Sequence, residues 1–252
     1  MGSHSNNGFV SKVIRYKGLA AHAAGTPHLG VNALNAASLG LSALAYQRET
    51  FRDDDHVRIH PIITKGGNLV NVVPDEVVIE TLVRAANKDA IADAAAKTDR
   101  AFKAGAIAVG ASCEITTMPG YLPALSEKAD ESVLAAAEIA AQTSEKDYQI
   151  VQEDTHAYSG GSTDVGDVQH LQPVLTFNTG GKVSGLHSVD FDIVDDELAY
   201  VVTAKIFALS AYRLLRYGAV KAKEIVANYQ PIFTKEEYIK YMDSFIKTET
   251  YS

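Results

Sequence analysis

The chain has a single cysteine, Cys113, in 252 residues. A lone thiol can form no internal disulfide and cannot build a thiolate zinc site, so the sequence fits a reducing compartment, the cytoplasm. Positive charge is in deficit. The 23 Lys and Arg against 31 Asp and Glu leave a formal charge of −8, which argues against nucleic acid or an anionic membrane as partner. Long apolar runs are missing as well: no uninterrupted stretch approaches about 18 residues, so the sequence predicts no membrane span. No internal repeat or low-complexity tract occurs. The opening MGSHSNNG lacks an apolar core and is no signal peptide; it reads as a vector-derived scar ahead of natural chain.

What is present is ordinary globular composition, 46% hydrophobic and 21% charged, in a length that suits one large domain or two small ones. Residues 65–84, KGGNLVNVVPDEVVIETLVR, organise the first half. Gly66 and Gly67 supply a turn, Pro74 and Asp75 restart the chain, and the stretch 77–84 is rich in β-branched residues, as strands are. Alternation puts Val78, Glu80, Leu82 and Arg84 on one face. Asn71 lies 13 residues before Arg84, in the loop that feeds the strand. An amide and a guanidinium so placed can clamp a carboxylate or a carbonyl. Equally, Asn71 reads as a buried loop amide and Arg84 as an edge arginine paired to Glu80.

The neighbouring segments supply the rest of a fold. Residues 9–16 alternate as a strand. Thr26 and Pro27 signal a helix start, followed by an apolar stripe of Leu34, Ala37, Leu41, Leu44 and Ala45. Residues 57–64 read as the next strand. After residue 84, Asp89 is a plausible cap for a helix with Ile91, Ala95, Thr98, Phe102, Ala106 and Val109 at helical spacing, ended by Gly110. A strand over 112–118 follows. The order β-α-β-β-α-β predicts, for residues 8–122, a four-stranded antiparallel sheet with two helices on one face. Residues 123–217 differ: a helix over 130–143, a loop over 154–167, an apolar strand over 174–177, a glycine-rich loop over 178–189 that holds His187, and a long helix over 195–217. These pieces do not make a complete core. Residues 218–252 form a tail, read as helical, in which Thr234 and Glu237 make a capping box.

Three stretches, KGLAAHAAGTPHLGVNAL (17–34), GGNLVNVVPDEVVIETLVR (66–84) and GGSTDVGDV with NTGGKVSGLHSVDFDI (within 160–193), resemble in order and spacing a known family. It is the metal-dependent amidohydrolases and peptidases that include aminoacylases, carboxypeptidase G and aminobenzoyl-glutamate hydrolase, with the wording most similar to the last. The resemblance implies an α/β class fold, with the βαββαβ unit as a lid that pairs two copies, followed by the C-terminal half of an α/β catalytic domain. It implies oxyanion support from His22, substrate binding by Asn71 and Arg84, and metal binding by His187. Asp164 is a weaker site candidate. His28, His156 and His170 read as structural or surface residues. The implied cofactors are two divalent ions, zinc or manganese, and the implied substrate is an N-acyl or N-aroyl amino acid or short peptide.

In one respect the sequence departs from that pattern. The family's other metal ligands and its general base precede the lid, in a His-x-Asp or Cys-x-Asp-x-His motif, a bridging acid and a Glu-Glu pair. No His-x-Asp occurs here, and Glu236-Glu237 belongs to the tail. A two-metal centre needs several ligands, and one histidine cannot hold it. The expectation is therefore a piece of an amide-bond hydrolase, inactive alone, or else a non-catalytic dimerising or binding module of the same descent.

Overall fold

The computed structural model describes residues 1–183, 185 and 187–252. Its main elements are β1 (Gly8–Lys17), α1 (Ala33–Tyr46), β2 (Arg58–Ile59), β3 (Ile62–Lys65), β4 (Glu76–Ala85), α2 (Lys88–Val109), β5 (Ser112–Pro119), α3 (Glu131–Gln142), α4 (Thr203–Asn228), α5 (Lys235–Asp243) and β6 (Lys247–Tyr251). They fall into two compact units. One comprises Asn6–Ala124, Gly160–Asp167 and Phe233–Ser252; the other comprises Met1–Ser5, Leu125–Ser159 and Val168–Ile232.

Period-2 alternation builds the sheet of the first unit. Along β1, Val10, Lys12, Ile14 and Tyr16 are buried while the residues between them are half-buried. β4 behaves likewise, with Val77, Ile79, Thr81 and Val83 facing the same side. The six strands run antiparallel in the order β6-β5-β1-β4-β2, with β3 also paired to β4. Helices α1 and α2 cover the buried face. The expected βαββαβ order is therefore the observed one, in an α/β chain.

Small residues let the two helices approach closely. α1 buries Ala33, Ala36, Ala37 and Gly40; α2 answers with Ala101, Phe102, Gly105 and Ala106. A Cβ on Gly105 would sit 2.3 Å from the Ala36 carbonyl oxygen, and one on Gly40 would sit 2.3 Å from the Tyr16 hydroxyl. That hydroxyl, in turn, donates to the Phe102 carbonyl at 2.6 Å in the core. Gly105→Ala should therefore destabilise the chain by about 1–3 kcal/mol through overpacking, against the gain of about 1 kcal/mol that alanine brings to an exposed helix. Urea unfolding of both proteins checks this; a stabilised variant would mean the helices can part at little cost.

Several local expectations are corrected. Thr26 and Pro27 start only a 3-10 turn, Pro27–Leu29, because Gly30 is extended; α1 begins at Ala33, where the Asn32 side chain accepts from the Leu34 and Asn35 amides. α2 is capped by Asn87 in place of Asp89, with its oxygen 2.8 Å from the Ala90 nitrogen, and ends at the left-handed Gly110. The strand expected over 57–64 is split into β2 and β3, since Pro61 offers no amide to the ladder. The sheet is also wider than four strands. The tail keeps its capping box, then finishes as β6, which pairs with β5 from Lys247↔Thr117 to Tyr251↔Cys113.

In the second unit α3 packs on α4 and the turn before it, through Val133, Ala136, Ala137 and Ala140 against Val202 and Ile206. Residues 174–177 are not a strand. Leu175 and Phe177 turn onto that helical cluster, and the Phe177 ring lies 4.7 Å from that of Phe207. An apolar run satisfied by side-chain packing needs no ladder. The long helix expected over 195–217 begins with a π-type turn, Glu197–Val202, and continues as α4 to Asn228, broken by non-helical backbone at Arg216–Ala219. By length and averaged composition this helical stretch is apolar enough to cross a membrane, which the absence of an unbroken apolar run had not suggested. Phe207, Tyr212 and Leu215 are exposed along it.

Candidate functional site

Two chain segments leave the sheet together and carry His22 and Asn71. Past the end of β1 and before the start of β4 they stay hydrogen-bonded: Gly18 N to Asp75 O at 2.8 Å, Val73 N to Ala21 O at 2.9 Å, and Ala23 N to Asn71 O at 2.9 Å. A bridge pairs His22 with Val72. The left-handed Gly67 helps to turn the second segment. Residues 49 apart in sequence thus become neighbours on an exposed prong, whose tip also shows Leu29, Leu69 and Val70 to solvent.

The prong orients the imidazole. His22 Nδ1 accepts from the Gly25 amide at 2.9 Å and from the Ala24 amide at 3.2 Å. A nitrogen that accepts carries no proton, so the neutral ring holds its proton on Nε2 and presents it outward as a donor. Small flanking residues, Ala21, Ala23, Ala24 and Gly25, leave that donor open to approach. Asn71 spends its backbone carbonyl on the pairing, while the residue itself is exposed, which removes the reading of a buried loop amide.

Arg84 stands at the far end of β4. Eight residues separate it from Glu76 at the strand's start, which at about 3.3 Å per residue is roughly 26 Å, and the prong extends beyond that start. One copy of the chain therefore cannot bring His22 and Arg84 to the same small substrate. Arg84 does share a face with Glu80, but its partners are others: Nη1 donates to Ser162 Oγ at 3.1 Å, and the guanidinium lies 5.5 Å from the centre of the Phe9 ring. Among the described residues no carboxylate lies within 4.0 Å of it.

The remaining candidates are dispersed. Asp164 is exposed in the turn that opens Val165–Gln169; its carbonyl accepts from Asp167 N at 3.1 Å and its carboxylate from Thr163 Oγ1 at 3.4 Å. His187, in the second unit, is exposed with a left-handed φ of 66°. His28 and His156 are exposed and His170 is buried. Among the described residues no three His, Cys, Asp or Glu side chains are grouped to hold a metal ion. Cys113 is buried, which pushes its thiol up to about 12 and leaves it inert. Sequence reasoning missed Arg58 and His60, which line a cleft with Arg84; only strand register, which the sequence does not print, brings them there.

Comparison with known proteins bears on the first unit most directly. Residues 4–108 match the family described as the peptidase dimerisation domain. Over 102 residues the chain is 33% identical to the Xaa-Arg dipeptidase of Mus musculus and 32% identical to that of Homo sapiens, in each case 40% of this chain and 23% of the relative. The matched stretch is thus under a quarter of those relatives' length. Among solved structures, the aminopeptidase PepT of Bacillus cereus superposes with a TM-score of 0.53 at 22% identity, covering 82% of this chain and 53% of that one. A tripeptidase of Staphylococcus aureus gives 0.52 at 20% identity, covering 88% and 53%. This chain spans about half the length of these structures.

Proposed function

We propose, from the match of residues 4–108 to the peptidase dimerisation domain, that the chain is the pairing and substrate-reading part of an amide-bond hydrolase whose metal ligands lie on another polypeptide segment. The proposed reaction is water-driven cleavage of an N-acyl or N-aroyl amino acid or dipeptide with a free terminal carboxylate, in the cytoplasm, where a lone cysteine stays reduced. Two divalent ions, zinc or manganese, would supply the activated water from the other segment, and His187 is this chain's one offered ligand. Residues of this chain do the rest. Arg84 reads the carboxylate through its planar fork, Asn71 holds the amide, and the outward Nε2–H of His22 donates to the oxygen on which charge develops.

The observation that carries this reading is the separation of about 26 Å along β4 between the prong end and Arg84. It supports a site assembled from two copies, with His22 and Asn71 of one meeting Arg84 of the other. Joining the chain to the segment encoded upstream, then assaying acyl-amino acids with zinc or manganese, tests it. Turnover by the 252-residue chain alone with either ion would overturn the division of labour. The lack of a donor cluster among the described residues favours a second reading, a non-catalytic dimerising module; the joined protein would then stay inactive while still pairing.

Pairing itself has a candidate edge. β6 occupies one side of the sheet, while β3 on the other is exposed along its whole length, with Ile62 and Ile63 facing out. A bare edge strand is a template for another strand. Sedimentation should therefore detect dimer at tens of micromolar, and Ile63→Lys should shift it toward monomer. A dimer unmoved by that substitution would place the contact elsewhere.

A further inference from the structure

Residues 41–61 of the first unit fold back on themselves and enclose a cleft of about 690 Å³. α1 ends at Tyr46, and a 3-10 turn carries the chain over Gln47–Thr50. A second turn, Asp53–Asp55, closes at the left-handed His56 and returns the chain to β2. The floor of the cleft is apolar. Leu41 and Leu44 pack in one core cluster, Phe51 and Val57 pack on another, and Ile59 touches both, so the cleft lies over the seam where the clusters meet. Its other walls are cationic, from Arg48, Arg52 and Arg58. Among the described residues none of these three has a carboxylate within 4.0 Å. Their guanidiniums make one hydrogen bond there, from Arg58 to the Val57 carbonyl at 2.9 Å, out of five donors on each. One acid, Asp53, lines the same cleft, so three cations against one acid leave it at +2 with its histidines neutral. In a chain of formal charge −8 that surplus runs against the overall balance.

We infer that this cleft binds a free mononucleotide, a phosphate monoester carried on a flat ring. A phosphate monoester has a charge of about −1.5 to −2 at pH 7 and three strong acceptor oxygens, which balance the surplus; a carboxylate, with one charge, leaves half of it unmet. Guanidiniums grip phosphate through parallel N–H groups. A flat ring covers the apolar floor at little conformational cost, against the Phe51 ring and the planes of the arginines. Asp53 accepts from a ribose hydroxyl or a ring amino group. The volume also suits a small ligand, whose sites run from about 300 to 1,000 Å³. The inference is independent of the role given to Arg84.

Calorimetry on the 252-residue chain with AMP, adenosine and inorganic phosphate tests it. AMP should bind with a Kd below about 1 mM, and roughly tenfold or more tighter than adenosine or phosphate, because only AMP meets both the cations and the floor. Arg48→Gln and Arg52→Gln should each weaken AMP roughly tenfold and leave adenosine within about twofold. Arg48→Lys, which keeps charge but loses the fork, should fall between. Arg84→Gln removes a cation that does not line this cleft, so AMP should stay within about twofold. Arg48 and Arg52 are exposed, so without ligand their variants should melt with the unmutated chain, which separates lost binding from lost fold. AMP should then raise the melting temperature of the unmutated chain more than theirs. Adenosine or phosphate binding as tightly as AMP, no detectable binding of AMP, or a loss in Arg84→Gln as large as in Arg48→Gln would each overturn the inference.

Discussion

Asp99→Ala should cost the fold about 3–5 kcal/mol, the usual loss when one partner of a buried ion pair is removed. Lys12 points from β1 into the interface with α2, where its side chain is fully buried; its Nζ lies 2.6 Å from Asp99 Oδ1 and 2.8 Å from Thr117 Oγ1. Deleting the carboxylate leaves an ammonium in the core with one neutral acceptor. Burial already lowers the Lys12 pKa, and Asp99 is the group that raises it again. Removing Asp99 must lower it further. A base whose folded pKa is depressed binds fewer protons folded than unfolded in the interval between the two values, so stability there rises with pH. The deficit of Asp99→Ala should thus be largest at neutral pH and shrink as pH climbs toward about 10.4, the unfolded lysine value. Replacing both partners together, Lys12→Met with Asp99→Leu, should recover most of the loss, because no charge is then left unpaired. Urea unfolding at pH 7 and pH 9.5 decides it. A loss that does not vary with pH would point to packing, not to the stranded charge.

The second large effect concerns the two-copy site. In the protein completed by the metal-bearing segment, His22→Ala and Arg84→Ala should each lower kcat/KM roughly ten- to a hundredfold, the worth of a charge-assisted or oxyanion contact. The two should differ in kind. Arg84→Ala should hurt substrates with a free carboxylate and spare their amides, whereas His22→Ala should lower kcat for acids and amides alike. Mixed, they should rescue one another. A dimer with one chain of each kind holds one site with both residues intact and one with neither, so random pairing restores about a quarter of the unmutated rate. No rescue on mixing would mean that His22 and Arg84 of a single copy serve one site, against the strand length that separates them.

The βαββαβ order was legible because each element carries a strong period: alternation in 8–17 and 76–85, and the stripe from Ile91 to Ala106. The failures have local causes. Thr26-Pro27 is a sound helix start, but the chain first has to build the prong, and Asn32 takes the cap instead. The apolar run 174–177 is equally consistent with strand or packed coil, and packing decided it. β6 was invisible because Lys-Thr-Glu-Thr-Tyr is short and polar, and only the edge of β5 makes it a strand. At the site, residue type and strand placement already offered Asn71 and Arg84 as a clamp, while the role of His22 came through family likeness. That His22 and Asn71 lie on paired segments, that Arg84 stands apart from both, and that Arg58 stands opposite Arg84 are consequences of register, which no local pattern encodes.

The tail strand has a consequence for association. β6 lies along one flank of β5, from Lys247↔Thr117 to Tyr251↔Cys113, while β1 holds the other flank. Whenever residues 247–251 are undocked, that outer flank of β5 presents unpaired backbone groups, and it is there that one chain is most open to joining a neighbour.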